Sequence, residues 1–121
     1  MANPELKGLT SMQIFDKTVD SLTKFGVAVI LNNHISDAGW CCNDFDENGL
    51  WHNDHYSTQQ WIGALSGMTL RYKQNKFVIG NDLRNEIRND IWRLLFPGWG
   101  NGNPNTDWKL AATQAGNEVL K

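Results

Sequence analysis

The chain has 121 residues, 40% hydrophobic and 20% charged, which suits one soluble domain with a sizeable core and leaves no room for a second. Its 11 basic and 13 acidic residues give a formal charge of −2 without a basic run, which argues against nucleic acid or an anionic membrane as a partner. No stretch approaches the roughly 20 apolar residues that cross a bilayer, and the first eleven residues lack the basic, apolar and small-residue blocks of a signal peptide.

Residues 11–25 carry Phe15, Val19 and Leu22 at i, i+4 and i+7 with Ile14 beside them, which predicts an amphipathic helix stopped by Gly26. The continuous apolar run Val27-Ala28-Val29-Ile30-Leu31 follows and ends in Asn32-Asn33-His34; it predicts a strand covered on both faces, as in a parallel sheet. Residues 35–56 have no period and are rich in Asn, Asp, Gly, Trp and Cys, a long loop of the kind that carries function. Ser57 opens a second helix with Trp61, Leu65, Met68 and Tyr72 on one face. A second strand, Phe77-Val78-Ile79-Gly80, runs into the polar segment Asn81-Asp82-Leu83-Arg84-Asn85-Glu86. After another irregular stretch, Asp107 caps a third helix whose Trp108, Ala111, Ala115 and Val119 share a face.

Strands alternating with helices predict βαβ units and a parallel sheet, and both strands end in polar clusters, as they do where a (β/α) barrel assembles an active site. Such a barrel closes with eight strands. With two strands in view, the expectation is a partial (β/α)8 TIM barrel: parallel strands, flanking helices and long strand-end loops. On this expectation residues 1–121 are a fragment of one catalytic barrel, poorly folded and inactive when isolated.

Six Trp occur beside many Asn, mostly in the loops. Flat apolar rings stack on the C–H faces of a pyranose, and amides and carboxylates bond its hydroxyls; the same residues also anchor cores and make turns. Trp40, Trp51 and Trp99 fall in predicted loops and are candidate sugar platforms, although a long loop also needs an apolar anchor of its own. Trp61 and Trp108 read as core. Cys41 and Cys42 are adjacent and could bridge each other, pair elsewhere or remain thiols. With His34, His52 and His55 they raise a zinc site, for which the spacing is poor; Asn43, Asp44, Asp46 and Glu47 raise calcium, but without the spacing of an EF-hand.

Glu86 sits directly after an amide at the mouth of a strand, where a general acid belongs. The segment Leu83-Arg84-Asn85-Glu86 resembles the strand-ending Asn-Glu motif of glycoside hydrolase family 5, the cellulase family. Val29-Ile30-Leu31-Asn32-Asn33-His34 is similar to that family's third strand, and the following Ile35-Ser36-Asp37-Ala38-Gly39-Trp40-Cys41-Cys42 resembles the loop after it. The resemblance implies that the chain covers strands three and four of the barrel. It further implies Glu86 as acid/base, Asn85 as the partner of the sugar 2-hydroxyl, and His34 as a substrate-binding residue; Trp40 is a substrate-binding candidate from its loop position.

The family's nucleophile, a Glu ending strand seven, has no counterpart here, since Glu118 falls in the predicted third helix; the family's early-strand arginine is also unmatched, Arg71 and Arg93 lying in other elements. Ile87-Arg88 replaces the Pro that often follows the catalytic Glu. The implied activity is retaining hydrolysis of a β-linked glucan or related glycoside, with no cofactor, by an enzyme that is extracellular and monomeric when complete. The alternatives are a non-catalytic carbohydrate-binding fragment and, for Glu86, a solvated carboxylate paired with Arg84 or Arg88.

Overall fold

The computed structural model describes residues 2–39 and 42–121. After a short 3-10 turn at Pro4–Leu6 the order is α1 (Ser11–Lys24), β1 (Val29–Asn32), α2 (Thr58–Tyr72), β2 (Val78–Asp82) and α3 (Trp108–Val119). Both α1 and α2 open on reciprocal capping boxes, Thr10 with Gln13 and Ser57 with Gln60, in which each side chain takes up a backbone N–H that the first turn leaves without a partner. Asp107 caps α3 by accepting from the Leu110 N–H.

Helix α1 ends with Gly26 at φ 77°, with Gly26 N–H bonded to Thr23 O and Val27 N–H to Leu22 O. This paired closure of a helix by a left-handed residue consumes Val27. The strand therefore starts at Val29, two residues later than the apolar run suggests.

The two strands pair in parallel, with Ile30 opposite Gly80, Leu31 opposite Asn81 and Asn32 opposite Asp82. Among the described residues one face of these strands is covered and the other is open, as two strands of an eight-stranded barrel leave it. Leu31 is buried against Val19 and Tyr72, while Ile30 and Ile79 are 61% and 62% exposed. The pleat sends successive side chains to opposite faces, and among the described residues helices pack on one of them only.

The larger core gathers Leu50, Trp51, Trp61, Ile62, Leu65, Ala111 and Ala115, joining α2 and α3 to the loop that follows β1. Trp51 was a candidate platform on its loop position; it is instead fully buried, its ring 6.3 Å from Trp61 and 5.5 Å from Trp108, and its indole N–H donates to the Thr58 hydroxyl at 3.1 Å. An irregular segment of this length packs only by contributing an anchor of its own, and Leu50-Trp51 is that anchor.

On the other side, Asp16 of α1 accepts from the guanidinium of Arg71 and, at 2.6 Å, from the Tyr72 hydroxyl of α2. These donors hold the Asp16 carboxyl down to about 2.

Candidate active site

The strand ends are joined through side chains as well as backbone. At the last register pair, Asn32 Nδ2 donates to Asp82 Oδ2, and Asn32 Oδ1 lies 3.2 Å from His34 Nδ1, so the exposed His34 ring is oriented by the strand it follows. Asn33 N–H donates to Asp82 O, and Asn33 O accepts from Asn85 N–H at 3.0 Å. The parallel pairing thus continues one step past the strands, with Asn85 donating the last backbone bond and His34 one residue past its acceptor, Asn33. No hydrogen bond engages the Asn85 side-chain amide among the described residues.

Glu86 follows with φ 41°, a left-handed backbone that a side chain disfavours. Such a conformation persists only where its surroundings over-determine it. Here it is bracketed by Asn85 N–H to Asn33 O at 3.0 Å and by Arg88 N–H to Gly49 O at 2.9 Å, and the Glu86 carbonyl itself accepts from Arg88 Nη1 at 3.2 Å. Gly49 is required at this crossing, because a Cβ there would sit 2.4 Å from Asn89 O and 2.7 Å from Arg88 O.

The Glu86 carboxyl is exposed and makes no hydrogen bond or ion pair among the described residues. Pairing with Arg84 or Arg88 is ruled out by where those cations go. The Arg88 guanidinium is held by both oxygens of Asp46 and by Asn43 O. Arg84 is buried, donating from Nη2 to Asn48 O at 2.7 Å and from Nη1 to Asn33 Oδ1 at 3.3 Å. Glu86 is therefore a carboxyl aimed by its backbone and left open to whatever occupies the mouth of the strands.

The loop after β1 is organised by Asn48, whose Oδ1 accepts from the backbone of Ser36 and Asp37 and whose N–H donates to Asp46. Asp37 in turn bonds His55 Nδ1 at 3.0 Å, which raises the His55 pKa above its ordinary value. These roles for Asn33, Asn48, Gly49 and Arg84 were not anticipated from sequence. The one local signal was Asn48-Gly49, a dipeptide that marks turns.

The histidines do not converge. His34 goes to Asn32, His52 Nε2 lies 3.0 Å from Asn105 O, and His55 goes to Asp37. Cys42 is disulfide-bonded, and no group of three metal-ligating side chains is found among the described residues. The acidic stretch considered for calcium is engaged by protein groups, Asp46 by Arg88 and Asp44 by Asn89. Trp99 is 71% exposed, and Trp92, which the sequence did not single out, is exposed against Phe45 with its indole N–H on Phe45 O at 3.0 Å. Trp40 and Cys41, both singled out from sequence, lie outside the described residues.

The family model for cellulase, glycosyl hydrolase family 5, matches residues 1–121. An endoglucanase of Paenibacillus polymyxa is 37% identical over 98% of this chain and 27% of its own length. The major extracellular endoglucanase of Xanthomonas campestris is 36% identical over 98% of this chain and 22% of its own. Its solved catalytic domain superposes with a TM-score of 0.80 at 36% identity, covering 96% of this chain and 30% of that one. An endocellulase of Pyrococcus horikoshii in complex with cellotetraose gives 0.81 at 31% identity over 98% of this chain and 31% of that one. The chain thus spans about a quarter of the length of the curated relatives it matches, and its two parallel strands with flanking helices have the fold of part of a (β/α)8 barrel.

Proposed function

Because the chain belongs to the cellulase family, glycosyl hydrolase family 5, we propose that it supplies the acid/base side of a retaining glycosidase acting on β-linked glucan or a related glycoside. Residues 1–121 then form strands three and four of one catalytic barrel, with Glu86 as the acid/base, Asn85 bonding the sugar 2-hydroxyl, and His34 and Trp40 contacting substrate. The observation that carries this reading is the unpaired Glu86 carboxyl at the mouth of a parallel strand, aimed by a bracketed left-handed backbone. The free amide of Asn85 beside it supports the second role. The cellotetraose bound by the Pyrococcus endocellulase supports an oligosaccharide substrate.

In the retaining reaction two carboxyl groups face the bond about 5–5.5 Å apart. The Glu86 proton moves to the glycosidic oxygen as the C–O bond breaks, and the second carboxylate bonds the anomeric carbon. Glu86 then takes a proton from water as that water attacks the anomeric carbon and releases the enzyme carboxylate. No cofactor enters.

We place the nucleophile outside residues 1–121. The carboxyls after Glu86 support this, since each is committed elsewhere: Asp90 to Arg93, Asp107 to the backbone of Gly100, Gly102 and Leu110, and Glu118 to Lys121. Secretion of the whole protein is proposed from the extracellular Xanthomonas relative.

The test is E86Q in the full protein. Turnover of unactivated β-glucan is expected to fall by at least about 10²–10⁴-fold, the usual contribution of a general acid, with sugar binding retained. Unchanged turnover would sink the assignment.

A further inference from the structure

Buried charges are ordinarily paired, and a buried polar atom without a partner calls for an explanation. Arg84 is 5% exposed, meets no carboxylate in an ion pair among the described residues, and has an Nε without a hydrogen-bond partner. Burial, with the like charge of Arg88 as a smaller cause and Asp46 in opposition, lowers its pKa to about 10. A methionine would fill similar space without desolvating a cation. What it would lack is a planar fork able to reach two acceptors at once.

Those two acceptors are informative. Arg84 bonds the side chain of Asn33 and the carbonyl of Asn48. Asn33 also supplies the carbonyl that holds Asn85 N–H, and Gly49, the neighbour of Asn48, supplies the carbonyl that holds Arg88 N–H. The two backbone bonds that bracket Glu86 therefore each lie within one residue of a bond made by Arg84. One guanidinium thus ties together the end of β1, the interior of the loop that follows it, and the segment that follows β2.

We infer that Arg84 is a positioning residue for Glu86, clamping the Asn33 side chain and the Asn48 carbonyl and so fixing the two neighbouring carbonyls, Asn33 O and Gly49 O, that hold the Glu86 backbone in its left-handed turn. The inference rests on the reading of Glu86 as the acid/base. It differs from a general structural role in one measurable respect: loosening the clamp misplaces the proton donor, and the loss falls on substrates whose leaving group needs that proton.

The experiment compares kcat/KM for dinitrophenyl β-cellobioside, whose leaving group departs unprotonated, with phenyl β-cellobioside, whose leaving group needs the acid, in the full protein and its E86Q, R84M, R84K and N33A variants. E86Q is expected to keep most activity on the first and lose it on the second. R84M is expected to show the same selective loss, up to about 10²-fold, the effect of displacing a catalytic group by about 1 Å, with R84K intermediate because its single ammonium cannot span both acceptors. N33A removes one acceptor, leaves the guanidinium in place, and is expected to give the same pattern at smaller size, which keeps the inference testable if R84M does not fold. If E86Q is selective but R84K and N33A lose both substrates equally, or neither, the positioning role is overturned and the acid/base reading stands. If E86Q itself shows no leaving-group selectivity, the acid/base reading falls and the clamp with it.

Discussion

Around Val19, Leu31 and Tyr72 the chain is held by apolar side chains at regular spacing, contributed by one helix face, one strand face and one helix end. Around Asn33, Asn48 and Arg84, just past the C-terminal ends of the same strands, it is held by amides, carbonyls and a guanidinium from irregular segments. Apolar packing is non-directional, so it degrades gradually when an atom is removed. A hydrogen-bonded junction is directional and fails in geometry before it fails in stability. The apolar cluster fastens helix to strand; the polar junction sets where Glu86 points.

Trp51 gives the largest test of that contrast, because it lies in the polar, irregular segment yet belongs to the apolar core. W51A is expected to lower stability by about 3–5 kcal/mol, as truncation of a fully buried Trp does, whereas W99A at an exposed loop site is expected to change it by less than about 0.5 kcal/mol. Chemical denaturation of both variants decides the matter, and similar losses would remove the distinction between the two loop tryptophans.

G49A comes next. The added Cβ must push apart two backbone segments, which costs about 1–3 kcal/mol in typical overpacked sites. Because those segments bracket Glu86, activity on unactivated substrate is expected to fall by more than the stability change accounts for. Equal and small effects on both would mean that the crossing is soft.

The smallest effect concerns pH. The Asp16 carboxyl is held below its ordinary 3.8, at about 2, by Arg71 and Tyr72. A lowered pKa in the folded state contributes stability that is full above 3.8 and is lost as pH falls through about 2. D16N is expected to flatten that part of the acid-unfolding curve and to leave the leaving-group dependence of catalysis unchanged, since this tie shares no partner with the Arg84 network. A D16N curve parallel to the wild type would contradict the tie.

The three helices were legible because their apolar residues repeat at the helical period and their caps announce themselves: Ser57 and Asp107 both act where they were expected. The parallel order was legible from alternation, and Leu83-Arg84-Asn85-Glu86 from its strand-end position. Ile30 and Ile79 lie exposed here on the face without helices, which is how two strands of an eight-stranded barrel leave it. Trp51 stood between platform and anchor because a loop anchor has no period to mark it; its full burial decides for the anchor. The clamp was illegible for a different reason: an arginine reads as a surface charge, and what makes Arg84 otherwise is its distance in space from Asn33 and Asn48, which lie 51 and 36 positions away along the chain.

The absence of a side chain at Gly49 also bears on how the motif could be reused by design. Moving Leu-Arg-Asn-Glu onto another barrel strand would transplant a carboxyl without its bearing, because the left-handed turn is imposed from a segment some forty residues earlier. The smallest portable unit is therefore a pair of adjacent strand ends, with Asn33 on one and a glycine in the loop that crosses to the other. A library that randomises the loop while leaving Leu-Arg-Asn-Glu untouched would still scatter the direction of its carboxyl unless that glycine were kept.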